Sequence, residues 1–132
     1  MTVLQDLIDS RDLIIRDGWS LGRLRGANGS HCAMGAVLDT TGNEHINHSL
    51  AYDTMNERGQ AVTAALYEAI PAEKRASIMA EWGDEIAELH PDCVRGCTVG
   101  DYNNYFGEST VIEMFNVAIA QQRAAASTSY KR

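Results

Sequence analysis

Three cysteines and four histidines are the residues of this chain best suited to chemistry. Cys32 falls in the first turn of a helix predicted over 31–41. Unpaired amides and the helix dipole there stabilise a thiolate, the nucleophilic form. His31 is its chain neighbour, but adjacent helical residues point in different directions, so His31 is a poor base for that thiol. A nucleophilic Cys32 needs another histidine, from His45, His48 or His90, delivered by the fold. The catalytic set on this reading is Cys32, His31 and His90. Against it, cysteine is among the most buried residue types, and Ala33-Met34-Gly35-Ala36 suits a core helix. Structural burial is therefore the expectation, with no catalytic residue assigned.

Metal binding is the second possibility. Structural zinc takes four thiolate or imidazole ligands in a tetrahedron. His90-Pro91-Asp92-Cys93-Val94-Arg95-Gly96-Cys97 has ligand-like spacing. His90, Cys93 and Cys97 supply three ligands, with Cys32 or His31 as a fourth. Structural sites usually pair Cys-x-x-Cys knuckles, and only one imperfect half is present. The expectation is a solvated loop with two free thiols and no cofactor, zinc being the alternative. His45 and His48, three apart, would share a face only if helical, and no carboxylate pattern completes a site there. An odd cysteine count in a reducing compartment predicts no obligatory disulfide. Dinucleotide-loop, phosphate-loop, His-Glu-x-x-His, Gly-x-Ser-x-Gly and EF-hand motifs do not occur.

Recognition chemistry gathers in two places. Tyr102-Asn103-Asn104-Tyr105-Phe106 is an aromatic and amide cluster of the kind protein-binding surfaces use. The same asparagines can instead bond the backbone and hold a turn. Arg11, Arg16, Arg23 and Arg25 give a basic rim around Gly18-Trp19, too small for nucleic acid. The candidate binding surface is Trp19, Arg23, Arg25, Tyr102, Asn103, Asn104 and Tyr105.

These side chains need elements to hold them. Thr2 caps a first helix over 3–17, with Leu4, Leu7, Ile8, Ile14 and Ile15 on one face and Gly18 as its stop. Residues 20–30 read as a loop with a short hairpin, Leu21 and Leu24 pointing inward and Gly26-Ala27-Asn28-Gly29 as the turn. Ser30 is the expected cap of the second helix, whose small residues let neighbours approach closely. A polar loop, 43–48, leads to helical sequence over 49–70, interrupted near Gly59. Pro71 opens a helix over 72–89 carrying Ile78, Met79, Trp82, Ile86 and Leu89. Residues 90–108 read as irregular. Thr110 and Glu113 form a capping box for a last helix over 110–126. The architecture predicted is all-α, a compact single-domain bundle of five to six helices. One domain spans 1–126 and a flexible tail 127–132. The second helix should be central, with the glycine-rich turn against the last helix.

The 132 residues suit one domain, and 45% hydrophobic with 22% charged residues is ordinary for a globular chain. A net charge of −7 disfavours nucleic acid and anionic membranes and favours basic partners or solubility. Glu81, Asp84, Glu85, Glu88 and Asp92 cluster with no Lys or Arg between them. The N-terminus shows no basic patch followed by an apolar run, so a cytoplasmic protein is expected.

Gly18-Trp19 with Gly22, then Cys32-Ala33-Met34-Gly35-Ala36, then Tyr102-Asn103-Asn104 before a final helix resembles a family. It is the small helical domain of unknown function widespread in actinobacteria and their phages. That family reads Gly-Trp-x-x-Gly, Cys-x-x-Gly-Ala and Trp-Asn-Asp, so Tyr102 and Asn104 depart from it, and 71–97 looks like an insertion. The resemblance implies a phage origin and brings no activity. The function expected is a small non-catalytic, phage-type accessory protein that binds a host or phage protein, in the host cytoplasm if phage-encoded. A homo-oligomer is compatible with the sequence. The alternatives are a cysteine-dependent enzyme using Cys32 and a histidine, and a zinc-stabilised binding module.

Overall fold

The computed structural model describes residues 2–130, leaving the side chains of 86, 87 and 127–130 outside the description. Among the described residues the chain forms six α-helices and two 3-10 turns, and no strand. No helix among them is long and apolar enough to cross a membrane.

Helix α1, Val3–Asp17, starts at Thr2, whose hydroxyl accepts from the Gln5 amide at 3.0 Å. It stops at Gly18, where φ is +100°, a conformation glycine adopts at little cost. Leu7 and Ile14 are fully buried, whereas Ile15, expected on the same face, is exposed. Helix α2, Ala33–Thr40, has every residue from Ala33 to Leu38 buried and is packed by α1, by α3 (Glu57–Ala69) and by α5 (Pro91–Phe106), so the small-residue spine is interior. Helix α6, Glu108–Tyr130, packs on α1, α3 and α5.

Several boundaries differ from expectation. The cap of α2 is Cys32, not Ser30; Ser30 donates to Asn28 Oδ1 at 2.7 Å inside the turn. Backbone pairing in that loop amounts to isolated bridges joining Trp19 and Arg25 to His31. A 3-10 turn, Ser49–Thr54, precedes α3, Glu57–Ala69. The interruption therefore falls at Met55 and Asn56, because the Asn56 carboxamide caps α3 by accepting from Gly59 N at 2.9 Å. Asn43, buried, bonds the Asn56 amide and Thr41, which seats the polar loop on α3. Helix α4, Ala72–Trp82, ends at Gly83 (φ +60°), and a second 3-10 turn, Gly83–Glu88, replaces its expected last turns. The Ile86 side chain lies outside the described set.

The largest correction concerns 90–108, which is helical. Helix α5, Pro91–Phe106, has His90 as its cap and Pro91 in its first turn. Helix α6, Glu108–Tyr130, starts immediately after Gly107, so Thr110 lies inside the helix and the capping box is not used. Its backbone continues past the expected end at 126, and Lys131 and Arg132 lie outside the described residues.

One ion pair ties the bundle together. The Asp6 carboxylate, 1% exposed, accepts from Arg58 at 2.9 and 3.2 Å, and Arg58 also bonds Thr40 O. Removing one partner of a buried pair leaves the other charge uncompensated, whereas an exposed pair matters little. Arg58→Ala should lower the melting temperature clearly more than Arg16→Ala, which breaks only the exposed pair with Asp17. Equal shifts in thermal melts would contradict this.

Candidate functional site

The glycine-rich loop packs on α5, not on the last helix. Asn103, fully buried, makes the attachment. Its Oδ1 accepts from Trp19 Nε1 at 2.8 Å and from Ala33 N at 3.0 Å, while its Nδ2 donates to Ser20 O at 3.2 Å. Two donors on one side and a carbonyl on the other fix which carboxamide atom is which. Asn104 Oδ1 accepts from Gly22 N at 2.9 Å. Leu24 O approaches α2 at Gly35 and accepts from Cys32 N at 3.2 Å.

Held this way, the loop overhangs a cleft of about 640 Å³. Gly22 to Arg25 form one wall, Asn47 to Ser49 and Tyr52 another, and Trp82 with Cys97, Gly100, Asp101 and Asn104 the third. That volume is in the range of ligand-sized sites.

Cys32 lines this cleft but acts as a cap, its Sγ accepting from Gly35 N at 3.3 Å. Burial raises its pKa, and the amide hydrogen bond and the Arg25 charge only partly offset that. His31 does not serve it: Nε2 lies 3.3 Å from Asp17 Oδ2, and Nδ1 lies 3.2 Å from Asp39 Oδ2 without hydrogen-bond alignment. The hydrogen bond from Arg16 holds the Asp17 carboxyl down at about 2, with His31 adding to it. His90 is exposed, its Nδ1 accepting from Asp92 N at 3.1 Å as the cap of α5. The set Cys32, His31 and His90 is therefore not assembled. Cys32 should resist iodoacetamide at neutral pH in the native protein and label rapidly in denaturant. Mass-spectrometric labelling rates check this; fast native alkylation would restore a nucleophilic role.

Cys93 and Cys97 are buried helical residues, which corrects the expected solvated loop. One turn apart, they pack against the Ser49–Thr54 turn: Cys93 Sγ lies 3.9 Å from Leu50 O, and Cys97 lines the cleft with Ser49. Burial pushes the Cys97 thiol up to about 11. Among the described residues no three His, Cys, Asp or Glu side chains are grouped to hold a metal ion. His90, Cys93, Cys97 and Cys32 are thus not brought together. Residues 1–121 match the model of a family of unknown function, DUF6197.

The chain belongs to that family. No curated protein and no solved structure matches it.

Of the expected binding surface, Arg23, Arg25 and Asn104 line the cleft, while Tyr102 and Asn103 are buried and cannot present one. Trp19 is turned inward onto Asn103, and Tyr105 is exposed, its hydroxyl on Glu81 at 3.0 Å. Arg25 is engaged: it pairs with Asp39 and donates to Ile46 O at 3.1 Å. Leu21, expected inside, is exposed.

Among the cleft residues that escaped the sequence reading are Tyr52, Trp82 as a wall, and Asp101. Tyr52 is 3% exposed, its ring seated on the bare face of Gly96. A Cβ at Gly96 would lie 2.3 Å from that ring. Asp101 Oδ2 accepts from Trp82 Nε1 at 2.9 Å. The carboxyl is shifted upward by burial, against the Trp82 hydrogen bond, with Glu81 adding to the rise. The only sequence signal was spacing: Cys93, Cys97 and Asp101 recur every fourth residue, the step of one helix face.

Proposed function

We propose that this is a small non-catalytic accessory protein of the phage type, acting in the cytoplasm by binding a host or phage protein at the cleft under the glycine-rich loop. The observation that carries the reading is the make-up of the cleft's lips. Leu21 and Leu50, 61% and 68% exposed, are the chain neighbours of the lining residues Gly22 and Ser49. Exposed apolar side chains around a concave site with a tryptophan wall mark surfaces that partners cover. The capped, burial-shifted Cys32 supports the non-catalytic half of the reading.

Site-specific photo-crosslinking tests it. A photoreactive residue at position 50, in cells of the native host, should give a discrete protein adduct that Leu21→Asp abolishes. A photoreactive residue at 121, on exposed α6, should not give it. Equal yields from both positions would sink the reading. An adduct of twice the chain mass would make the partner a second copy.

A further inference from the structure

Resting on that protein-binding reading, we infer that the floor of the cleft is a cation subsite that receives the ammonium or guanidinium group of a lysine or arginine from the partner protein. The first observation is Tyr52. It is nine-tenths buried and more, it lines the cleft, and none of the described residues hydrogen-bonds its hydroxyl. That oxygen is not sealed in the interior either, so it opens on the cleft. A phenol oxygen that opens on the cleft and has no protein partner is free to accept a hydrogen bond from a ligand there.

The second observation is Asp101, which lines the same cleft. Trp82 engages Oδ2, and among the described residues Oδ1 has no hydrogen-bond partner and no cationic side chain pairs with the carboxylate. A carboxylate acceptor beside an indole, in the same cleft as an unpartnered phenol oxygen, is a set that binds a cation by charge, hydrogen bond and ring quadrupole together. Of the two arginines that line the cleft, Arg25 is already neutralised by Asp39. Arg23 is exposed.

The third is the approach. From Trp82 the chain continues into Asp84, Glu85 and Glu88, all exposed, with Glu81 just before them. Among the described residues none pairs ionically with any of the four. On a chain of net charge −7 this wall draws in a basic segment. A single basic side chain then enters the cleft while its flanking residues meet the acidic wall, which is why a partner segment fits better than a free small cation.

Burial raises the Asp101 pKa. The groups that act on it or are acted on by it are Glu81 from α4, Tyr52, Cys97 and Tyr105, and Arg23 and His48 also line the cleft. A carboxyl whose folded pKa lies above its unfolded one costs stability at pH above both, and the cost vanishes below both. Asp101→Asn should therefore leave the melting temperature at neutral pH unchanged or higher. Cation binding needs the carboxylate, so affinity should fall on acidification from a higher pH than for an ordinary aspartate.

The probe is a fluorescein-labelled tri-arginine peptide amide, followed by anisotropy and by the backbone amide shifts of Gly100 and Asp101. Saturable binding that shifts both amides is expected. Asp101→Asn should weaken it about tenfold or more, and Tyr52→Phe, which keeps the ring on Gly96, about threefold. If Asp101→Asn fails to fold, Tyr52→Phe and the acid-side pH profile decide. Absence of saturable shifts, an unchanged affinity in both variants, or arginine amide binding as tightly as the peptide would each overturn the subsite. A position-50 adduct that survives in Asp101→Asn would overturn it while leaving the protein-binding reading intact; no adduct in the wild type removes that reading itself.

Discussion

Gly35→Ala is expected to destabilise the protein by about 3 kcal/mol or more, at the upper end of overpacking. A Cβ at this position would stand 1.7 Å from Leu24 O and 2.6 Å from Leu24 C. Those atoms are backbone, so no rotamer change relieves the clash. The same carbonyl accepts from Cys32 N, and the Gly35 amide donates to Cys32 Sγ. Moving the loop away would thus unfasten the cap of α2 along with the wall of the cleft. Gly100→Ala is the control. It also sits in a helix, and nothing lies within 4 Å of its added Cβ. There the helix propensity of alanine should dominate, giving a gain of roughly 0.5–1 kcal/mol. Urea unfolding followed by circular dichroism separates the two, and a Gly35→Ala variant as stable as wild type would show that the loop does not bear on α2 as described.

The elements written in local signals were legible. α1 announced itself by a threonine cap, an apolar stripe and a glycine stop, and α2 by a run of small apolar residues that had to be interior. α5 was not, because its reasons are tertiary. Gly96 and Gly100, with Thr98, Val99, Asn103 and Asn104, are poor helix formers, and together they read as a loop. Each poor former among them that the fold depends on answers a long-range demand. Gly96 makes room for Tyr52, and Asn103 binds three backbone or side-chain groups far away in sequence. His90 caps the helix and Pro91 opens it, a local start signal that the sequence reading did not use. Ser30 and Cys32 are a similar case. Serine is the better cap by propensity, but the bonds of His31 to Gly18 and Ser20 hold the chain extended until Cys32. Of the candidate site, sequence pointed at Arg23, Arg25, Cys32 and Asn104. It could not point at Tyr52, Trp82 or Asp101, since only the packing of α5 against the Ser49–Thr54 turn and α4 brings those three to one cleft.

Replacing Asn103 should be as damaging as overfilling Gly35, and the choice of substitute tells why. Asn103→Leu keeps the branched heavy-atom shape and leaves Trp19 Nε1, Ala33 N and Ser20 O without their partner. At about 1–3 kcal/mol for each buried unsatisfied group, part of it relieved by relaxation, the loss should be roughly 3–5 kcal/mol. Asn103→Asp is the sharper probe. The carboxylate still accepts from Trp19 and Ala33, but its second oxygen replaces the amide nitrogen that donates to Ser20 O and Asn104 Oδ1. Acceptor then faces acceptor in the interior, and burial opposes the charge, so the folded state raises the pKa of the new carboxyl. Its penalty is present at pH above that raised value and shrinks as the pH falls and the carboxyl, once protonated, donates as the amide did. The stability gap between wild type and Asn103→Asp, measured by urea unfolding, should therefore be wide at neutral pH and narrow markedly by about pH 4.5. The gap for Asn103→Leu should not change over the same range. A gap for Asn103→Asp that is flat with pH would mean that the carboxamide nitrogen does not hold the loop, and that the wall of the cleft over α5 is fastened by something else.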